Sequence, residues 1–208
     1  LKAAGATVAH VCSSAVLAKK CEDAGVDAVI AEGFEAGGHN GRAEITTMVL
    51  IPEVVKAVQV PVIAAGGLAS GQSILAAFCL GAEAVQIGTL FAASSESSAH
   101  QNFKEAIVAA KEDSTKLCLK KLIPVRVLKN SFYQQVEELE SQGASPQELS
   151  QLLGKGRSKK GMLEGDLENG ELEIGQVSAH IQKIQPLSEI LLGLLKDYQI
   201  CLEKIKKF

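Results

Sequence analysis

The sequence predicts an α/β protein: the C-terminal half of a TIM (β/α)8 barrel, with about four parallel strands, and a small, mainly helical domain. Three observations predict this fold. Short apolar segments alternate with amphipathic helical segments, glycine-rich turns follow two consecutive strands, and the composition changes after Ala110. Continuous apolar strands separated by helices are typical of parallel sheets that are covered on both faces.

The composition is that of a globular protein, with 208 residues, 47% hydrophobic side chains, 22% charged side chains and a net charge of -3. The balanced charge argues against binding to a nucleic-acid backbone. No apolar run approaches the roughly 18 residues of a membrane helix, so we expect no membrane partner and a cytoplasmic location. The five cysteines are widely spaced, and we interpret them as reduced, buried side chains.

The first repeat consists of a strand over 7–12, a helix and a strand over 27–31. Ser13 and Ser14 provide the polar start of the helix, and Gly25 closes it. Since residue 1 is Leu1 and the chain opens on what resembles a helix end, we expect a longer natural chain with further strands upstream.

The second repeat begins after a long loop over 32–47. Pro52 predicts the first turn of a short helix, which is followed by a strand over 60–65. Ser70 or Gly71 then begins another helix, Gly81 ends it, and residues 84–87 form the fourth strand.

Turns that expose the backbone follow the third and fourth strands, at Gly66–Gly67 and Gly88–Thr89. Alternating strands and helices fit a doubly wound sheet or a (β/α)8 barrel. In barrels, the loops after strands 7 and 8 often bind a phosphate. The turns at Gly66–Gly67 and Gly88–Thr89 match these two loops, and this match favours the barrel over the doubly wound sheet. The alternative is that they are only tight turns at the barrel rim.

The second part of the chain has a different pattern. Residues 114–127 are basic and rich in β-forming side chains, 131–143 and 146–153 predict two short helices, and 154–175 predicts a loop-dominated lid. We expect a half-barrel over 1–112, a small helical domain over 113–175, and a return to the barrel over 176–208. The last segment includes a long amphipathic helix that carries Leu187, Leu191, Leu194, Tyr198, Cys201 and Ile205 on one face.

The segment 32–41, which follows the second strand, is the strongest candidate for chemistry. Gly37 and Gly38 would let the backbone approach a flat ligand, and His39 would project into the barrel mouth as a base or hydrogen-bond donor. The alternative is a glycine-rich turn with a surface histidine. One histidine beside Glu32 and Glu35 is poor evidence for a metal, so no metal site is expected.

The predicted phosphate site lacks the sequence signatures of ATP-binding and dinucleotide-binding loops. A mononucleotide cofactor such as a flavin therefore fits better, and it would supply redox chemistry that the side chains lack.

Four stretches, AVIAEGFEAGGHNG, PVIAAGGLASG, GAEAVQIGTLFAASSES and KGMLEGDLENGELEIGQVSA, resemble the nitronate monooxygenase family, formerly the 2-nitropropane dioxygenases. This family also includes FMN-dependent enoyl-ACP reductases. The resemblance runs to about Ile184 and implies FMN lying between a barrel and a helical domain. His39 matches the family's active-site histidine, and Gln176 and Ser178 fall in the segment that returns to the active site. The residues implied to line the FMN site are Glu32, Ala36, Gly37, Gly38, Gly66, Gly67, Gly88 and Thr89.

The resemblance implies FMN-dependent oxidation of alkyl nitronates by O2 to a carbonyl compound and nitrite. One alternative is an enoyl-ACP reductase that uses NAD(P)H. A second is an incomplete, non-catalytic fragment. The expected partners are a nitronate or enoyl thioester, O2 or NAD(P)H, and a second copy in a homodimer.

Overall fold

The computed structural model describes residues 1–207 and divides into two compact units. The first comprises Leu1–Glu35, Ala43–Ile87 and the described part of Leu191–Phe208; the second comprises Ala36–Arg42 and Gly88–Ile190. The strands are β1 (Ala9–Cys12), β2 (Ala28–Glu32), β3 (Gly38–His39), β4 (Val62–Ala65), β5 (Ala84–Gln86), β6 (Thr115–Cys118) and β7 (Val125–Leu128). The α-helices are α1 (Ala15–Asp23), α2 (Thr47–Ala57), α3 (Gly71–Cys79), α4 (Thr89–Ala92), α5 (Gln101–Ala109), α6 (Ser131–Ser141), α7 (Pro146–Leu153), α8 (Arg157–Met162) and α9 (Leu187–Ile205). Short 3-10 helices cover Lys2–Ala4 and Gln176–His180.

The first unit contains a parallel sheet in the order β1-β2-β4-β5. Its strands are built from valine, isoleucine and alanine, and the side chains of Val29, Ala31 and Ala64 are fully buried. They pack with α2, where Leu50 and Val54 are also fully buried. The α/β class and its four parallel strands are therefore confirmed.

Helix caps explain where the helices of this unit begin. The Ser14 hydroxyl accepts a hydrogen bond from the Leu17 N–H at 3.2 Å, as predicted for the start of α1. For α3 the two predicted starts are resolved, because Ser70 is the capping residue and exchanges hydrogen bonds with Ser73.

The predicted position of Pro52 is wrong. This residue lies inside α2, which begins at Thr47. The helix starts earlier because the Glu35 carboxylate accepts the Thr47 N–H at 2.9 Å and so satisfies a donor of its first turn. Pro52 removes one hydrogen bond from the interior of α2 and crowds the carbonyl group one turn earlier, yet the helix continues to Ala57.

The second unit contains an antiparallel sheet in the order β3-β7-β6. The segment predicted as a loop over 32–47 therefore includes a short strand, in which Gly38 pairs with Arg126 and His39 pairs with Val125. One core of this unit forms around Phe132, Val136 and Leu149. A second forms around Phe103, Ile107, Ala93, Leu172, Ile174 and Ile181.

The two compact units divide the chain at different places from the predicted domain boundaries of 112/113 and 175/176. The segment 154–175 also contains more order than a loop-dominated lid, because it includes α8 and the buried side chains of Leu172 and Ile174. The long C-terminal helix is present as α9. None of the helices in the described part of the chain combines the length and hydrophobicity needed to cross a membrane.

Candidate functional site

The carboxyl ends of β4 and β5 lie side by side in the first unit, because Ala65 pairs with Gln86. Gly66 and Gly67 directly follow β4 and have positive φ angles of 92° and 71°. A Cβ at Gly66 would lie 2.7 Å from the Gly33 carbonyl oxygen, so only glycine fits this close backbone approach. The predicted turn is thus a tightly packed glycine pair at the end of the sheet where α/β proteins bind ligands.

The Gly66–Gly67 turn also has backbone N–H groups that are available as hydrogen-bond donors. Within residues 1–207, the N–H groups of Gly66 and Gly67 make no backbone hydrogen bond outside the regular elements and donate to no side chain. A phosphate needs such N–H donors, so the residues present fit an anionic group.

Hydrogen bonds of Glu35 and Thr47 hold the Gly66–Gly67 turn in place. The Glu35 carboxylate accepts the Thr47 N–H at 2.9 Å and lies 2.9 Å from the Thr47 hydroxyl oxygen. That oxygen is also 2.9 Å from the Gly66 carbonyl oxygen. The sequence did not predict the role of Thr47, and it placed Glu35 only as a neighbour of the histidine.

Glu32 ends β2 in the same unit and is half-buried. Burial raises the pKa of its carboxyl group. Its carboxylate accepts no hydrogen bond from any other residue that the structure describes. It is therefore a polar group at the carboxyl edge of the sheet that is available to a ligand.

Gly37, Thr89 and Gly175 come together in the second unit. The Thr89 hydroxyl accepts the Gly175 N–H at 3.0 Å, and its own hydrogen stays available for donation. A Cβ at Gly37 would lie 2.4 Å from the Ile174 carbonyl carbon, so the backbone of this loop lies directly against the 174–175 segment. Ala36, which precedes Gly37, is 8% exposed.

Gly88 has open space beside it, and Ser178 has a hydroxyl group without a hydrogen-bond partner among the described residues. A Cβ at Gly88 would meet nothing within 4 Å. The Ser178 hydroxyl is buried and lacks a hydrogen-bond partner among the described residues, whereas Gln176 is exposed. A buried, unpaired hydroxyl carries a free-energy cost, and a ligand that paired with it would remove that cost.

His39 lies on β3, so its prediction as a loop residue is wrong in this respect. The side chain is exposed and lines a cavity of about 280 Å³. One part of the wall is apolar, and the other is formed by polar side chains and glycines. The lining residues, besides His39, are Leu119, Leu122, Ile123, Val125, Leu153, Gly154, Gly156, Arg157, Ser158 and Glu171.

The structure divides the predicted residues between the two compact units. Glu32, Gly66 and Gly67 lie in the first. The second contains Ala36, Gly37, Gly38, His39, Gly88, Thr89, Gln176 and Ser178. Ser158 and Glu171, which share the cavity with His39, were not predicted. The alternation of acidic and apolar residues in Glu171–Ile174 was the signal that could have found Glu171.

Comparisons with known proteins agree with the resemblance seen in the sequence. A family model described as nitronate monooxygenase matches residues 1–197. A curated relative from Bacillus subtilis, named "Probable nitronate monooxygenase", is 33% identical over 99% of this chain and 60% of its own length. This chain also spans only 35% of a relative with the same name from Staphylococcus aureus, to which it is 42% identical over 123 residues.

Two solved structures are similar over nearly the whole chain. FabK from Thermotoga maritima has a TM-score of 0.93 and 44% identity, covering 100% of this chain and 65% of its own. Nitroalkane oxidase from Streptomyces ansochromogenes has a TM-score of 0.80 and 30% identity, covering 99% of this chain and 61% of its own. The chain thus spans less than two thirds of each of these relatives.

Proposed function

Because the chain belongs to the nitronate monooxygenase family, we propose that it carries the FMN-binding and proton-transfer residues of an enzyme that oxidises alkyl nitronates. In this reaction O2 converts the nitronate to a carbonyl compound and nitrite. FMN, when bound, supplies the redox chemistry that amino-acid side chains lack. The remaining roles belong to residues of this chain.

The observation that carries the proposal is the pairing of Ala65 with Gln86. It aligns the ends of two strands, of which β4 runs directly into Gly66–Gly67 and β5 leads within a few residues to Gly88–Thr89. We propose that these residues hold the FMN phosphate through backbone N–H groups and the Thr89 hydroxyl. Glu32, Ala36, Gly37 and Gly38 would line the rest of the cofactor, and Gln176 and Ser178 would contact the active site.

His39 is proposed as the base that removes the α-proton of a neutral nitroalkane. The carbon–hydrogen bond breaks, a bond forms from that hydrogen to a ring nitrogen, and the substrate becomes the anionic nitronate. With a preformed nitronate, the same side chain would orient the nitro oxygens. The apolar side chains of Leu122, Ile123 and Val125 in the same cavity would contact the alkyl group.

The test is turnover of both substrate forms by a His39→Asn variant. Loss of a general base costs about 10²- to 10⁴-fold, so the neutral nitroalkane should react far more slowly while the preformed nitronate loses less. His10→Asn is the control, because His10 is an exposed histidine on β1. Equal rates for His39→Asn and the parent protein would remove the assignment.

A second candidate is an enoyl-ACP reductase that uses NAD(P)H. The 44% identity to FabK across the whole chain supports it, together with the family's inclusion of FMN-dependent enoyl-ACP reductases. Nitrite release from a nitronate, assayed beside NADH oxidation with a crotonyl thioester, separates the two activities. A protein that purifies without flavin absorbance and does not bind added FMN would favour the non-catalytic fragment.

A further inference from the structure

A single serine in the second unit contacts two carboxyl groups. The Ser158 hydroxyl oxygen lies 2.7 Å from Glu171 Oε2 and 2.7 Å from Glu173 Oε1. A hydroxyl has one hydrogen, so it can make one linear hydrogen bond to these oxygens. A hydrogen from the carboxyl side would make the other contact a full hydrogen bond as well, because two oxygens at this distance with no hydrogen between them repel each other. Both contacts are therefore satisfied best when one of the two glutamates carries a proton.

Burial favours Glu171 over Glu173 as the site of this proton. Glu171 is 5% exposed, whereas Glu173 is half-buried. Burial raises the pKa of Glu171, and the negative charge of Glu173 raises it further. The Ser158 hydrogen bond, the protonated form of His39 and the positive charge of Arg157 act in the opposite direction. The balance of these effects favours a proton on the carboxyl group whose ionised form would lose more solvation.

Arg157 is engaged with other groups. Its guanidinium donates to the carbonyl oxygens of Leu152, Leu153 and Asn169, and it stacks over the ring of Phe132 at 4.4 Å. It influences the acidic pair through its charge, while its hydrogen-bond donors satisfy backbone oxygens. Within residues 1–207, the pair therefore depends on the Ser158 hydroxyl for its hydrogen bonding.

Titratable or charged groups near the pair also come from the three strands of the sheet. They are His39 on β3, Arg126 on β7 and Cys118 on β6. Arg126 is 2% exposed, and its backbone pairs with Gly38. Burial raises the pKa of Cys118 to about 12, with smaller contributions from Glu140 and Glu171, so this thiol stays neutral. Among these groups, only His39 ordinarily changes its charge near neutral pH.

We propose that Ser158, Glu171 and Glu173 share one proton at neutral pH, and that this proton-sharing cluster is a positioning group for His39. Its net single negative charge would stabilise the imidazolium that forms when His39 takes up the substrate proton. His39, Ser158 and Glu171 line one cavity, and His39 and Glu171 interact electrostatically. This role rests on the proposed function of His39, whereas the shared proton does not.

Infrared spectroscopy of the protein tests the shared proton directly. At neutral pH, where ordinary glutamates are ionised, the carbonyl stretching band of a carboxylic acid should be present. It should disappear in Glu171→Gln, whose amide N–H can replace the acid hydrogen, and shift in Ser158→Ala. Glu164→Gln, at an exposed glutamate paired with Lys159 at 3.2 Å, should keep the band unchanged. Absence of the band from the parent protein, or its persistence in Glu171→Gln, overturns the proposal.

Kinetics test the positioning role. Replacing both carboxyl groups, in a Glu171→Gln, Glu173→Gln double variant, removes the negative charge whichever of them holds the proton, and an opposite charge nearby is worth about one pKa unit or more, which is about tenfold. The ratio of kcat/KM for neutral nitroalkane to that for preformed nitronate should therefore fall about tenfold. An equal loss with both substrates would show a structural effect and overturn the positioning role. If the infrared band is found but His39→Asn is as active as the parent, the proposed function fails while the shared proton stands.

Discussion

Replacing Gly88 with alanine probes cofactor binding with little effect on the fold. Gly88 has φ -95° and ψ -79°, which an alanine can adopt, and its Cβ would meet nothing within 4 Å. Gly88 is also the capping residue of α4, where alanine is less favourable than glycine. The expected loss in free energy of unfolding is therefore about 1 kcal/mol or less.

The effect on FMN should be larger. If the backbone around Gly88 donates to the phosphate, an added methyl group keeps the phosphate from approaching. A hydrogen bond to a charged group contributes about 1.5–3 kcal/mol, and each 1.4 kcal/mol changes Kd about tenfold. Gly88→Ala should therefore weaken FMN binding at least about tenfold, measured by quenching of flavin fluorescence on titration with protein.

Gly193→Ala is the matched control. Gly193 lies in the exposed middle of α9, and its Cβ also meets nothing within 4 Å. Both variants add one methyl group to open space, but only one adds it at the proposed phosphate site. If Gly88→Ala binds FMN as tightly as Gly193→Ala does, the assignment of Gly88–Thr89 to the phosphate is refuted.

Three further predictions concern stability. Gly193→Ala should raise the free energy of unfolding by about 0.5–1 kcal/mol, because glycine is unfavourable inside helices. This corresponds to a rise of a few degrees in Tm, and an unchanged or lower Tm would contradict the prediction. Gly71→Ala should lower the free energy of unfolding, measured in urea, by about 1–3 kcal/mol, because the added Cβ would lie 1.9 Å from the Tyr198 backbone nitrogen. An unchanged midpoint would mean that α3 and α9 do not make this contact. Hydrogen bonds from Asn169 and Lys160 hold the pKa of Asp166 at about 2, below its usual 3.8. The contribution of Asp166 to the free energy of unfolding is therefore present above pH 3.8 and is lost as the pH falls towards 2. Asp166→Asn should abolish this part of the acid dependence of unfolding.

The parallel sheet could be predicted because its signals are local. Each strand is a short apolar run, and the helices carry their own start signals, such as Ser14 and Ser70. The Gly66–Gly67 turn was also visible, because a glycine pair after a strand indicates a backbone that other residues cannot adopt. These features depend on a few neighbouring residues, so sequence patterns alone are sufficient.

The features that were missed depend on partners that are distant in the chain. β3 has two residues and exists because Gly38 and His39 pair with β7. The start of α2 depends on a carboxylate that precedes it, at Glu35. Nothing within the local sequence around Pro52 reveals that partner, and proline at the first turn was the simpler interpretation.

The acidic pair shows how the core of the second unit can build a polar site. Leu172 and Ile174 are 1% exposed, and Glu171 and Glu173 alternate with them along the chain. The Leu128 N–H donates to the Leu172 carbonyl oxygen at 2.8 Å, which fixes this segment beside β7. Both carboxyl groups contact the Ser158 hydroxyl, so the segment that buries the two apolar side chains also brings the two carboxyl groups to one point. The packing that stabilises this core therefore also holds the two carboxyl groups close enough to share a proton.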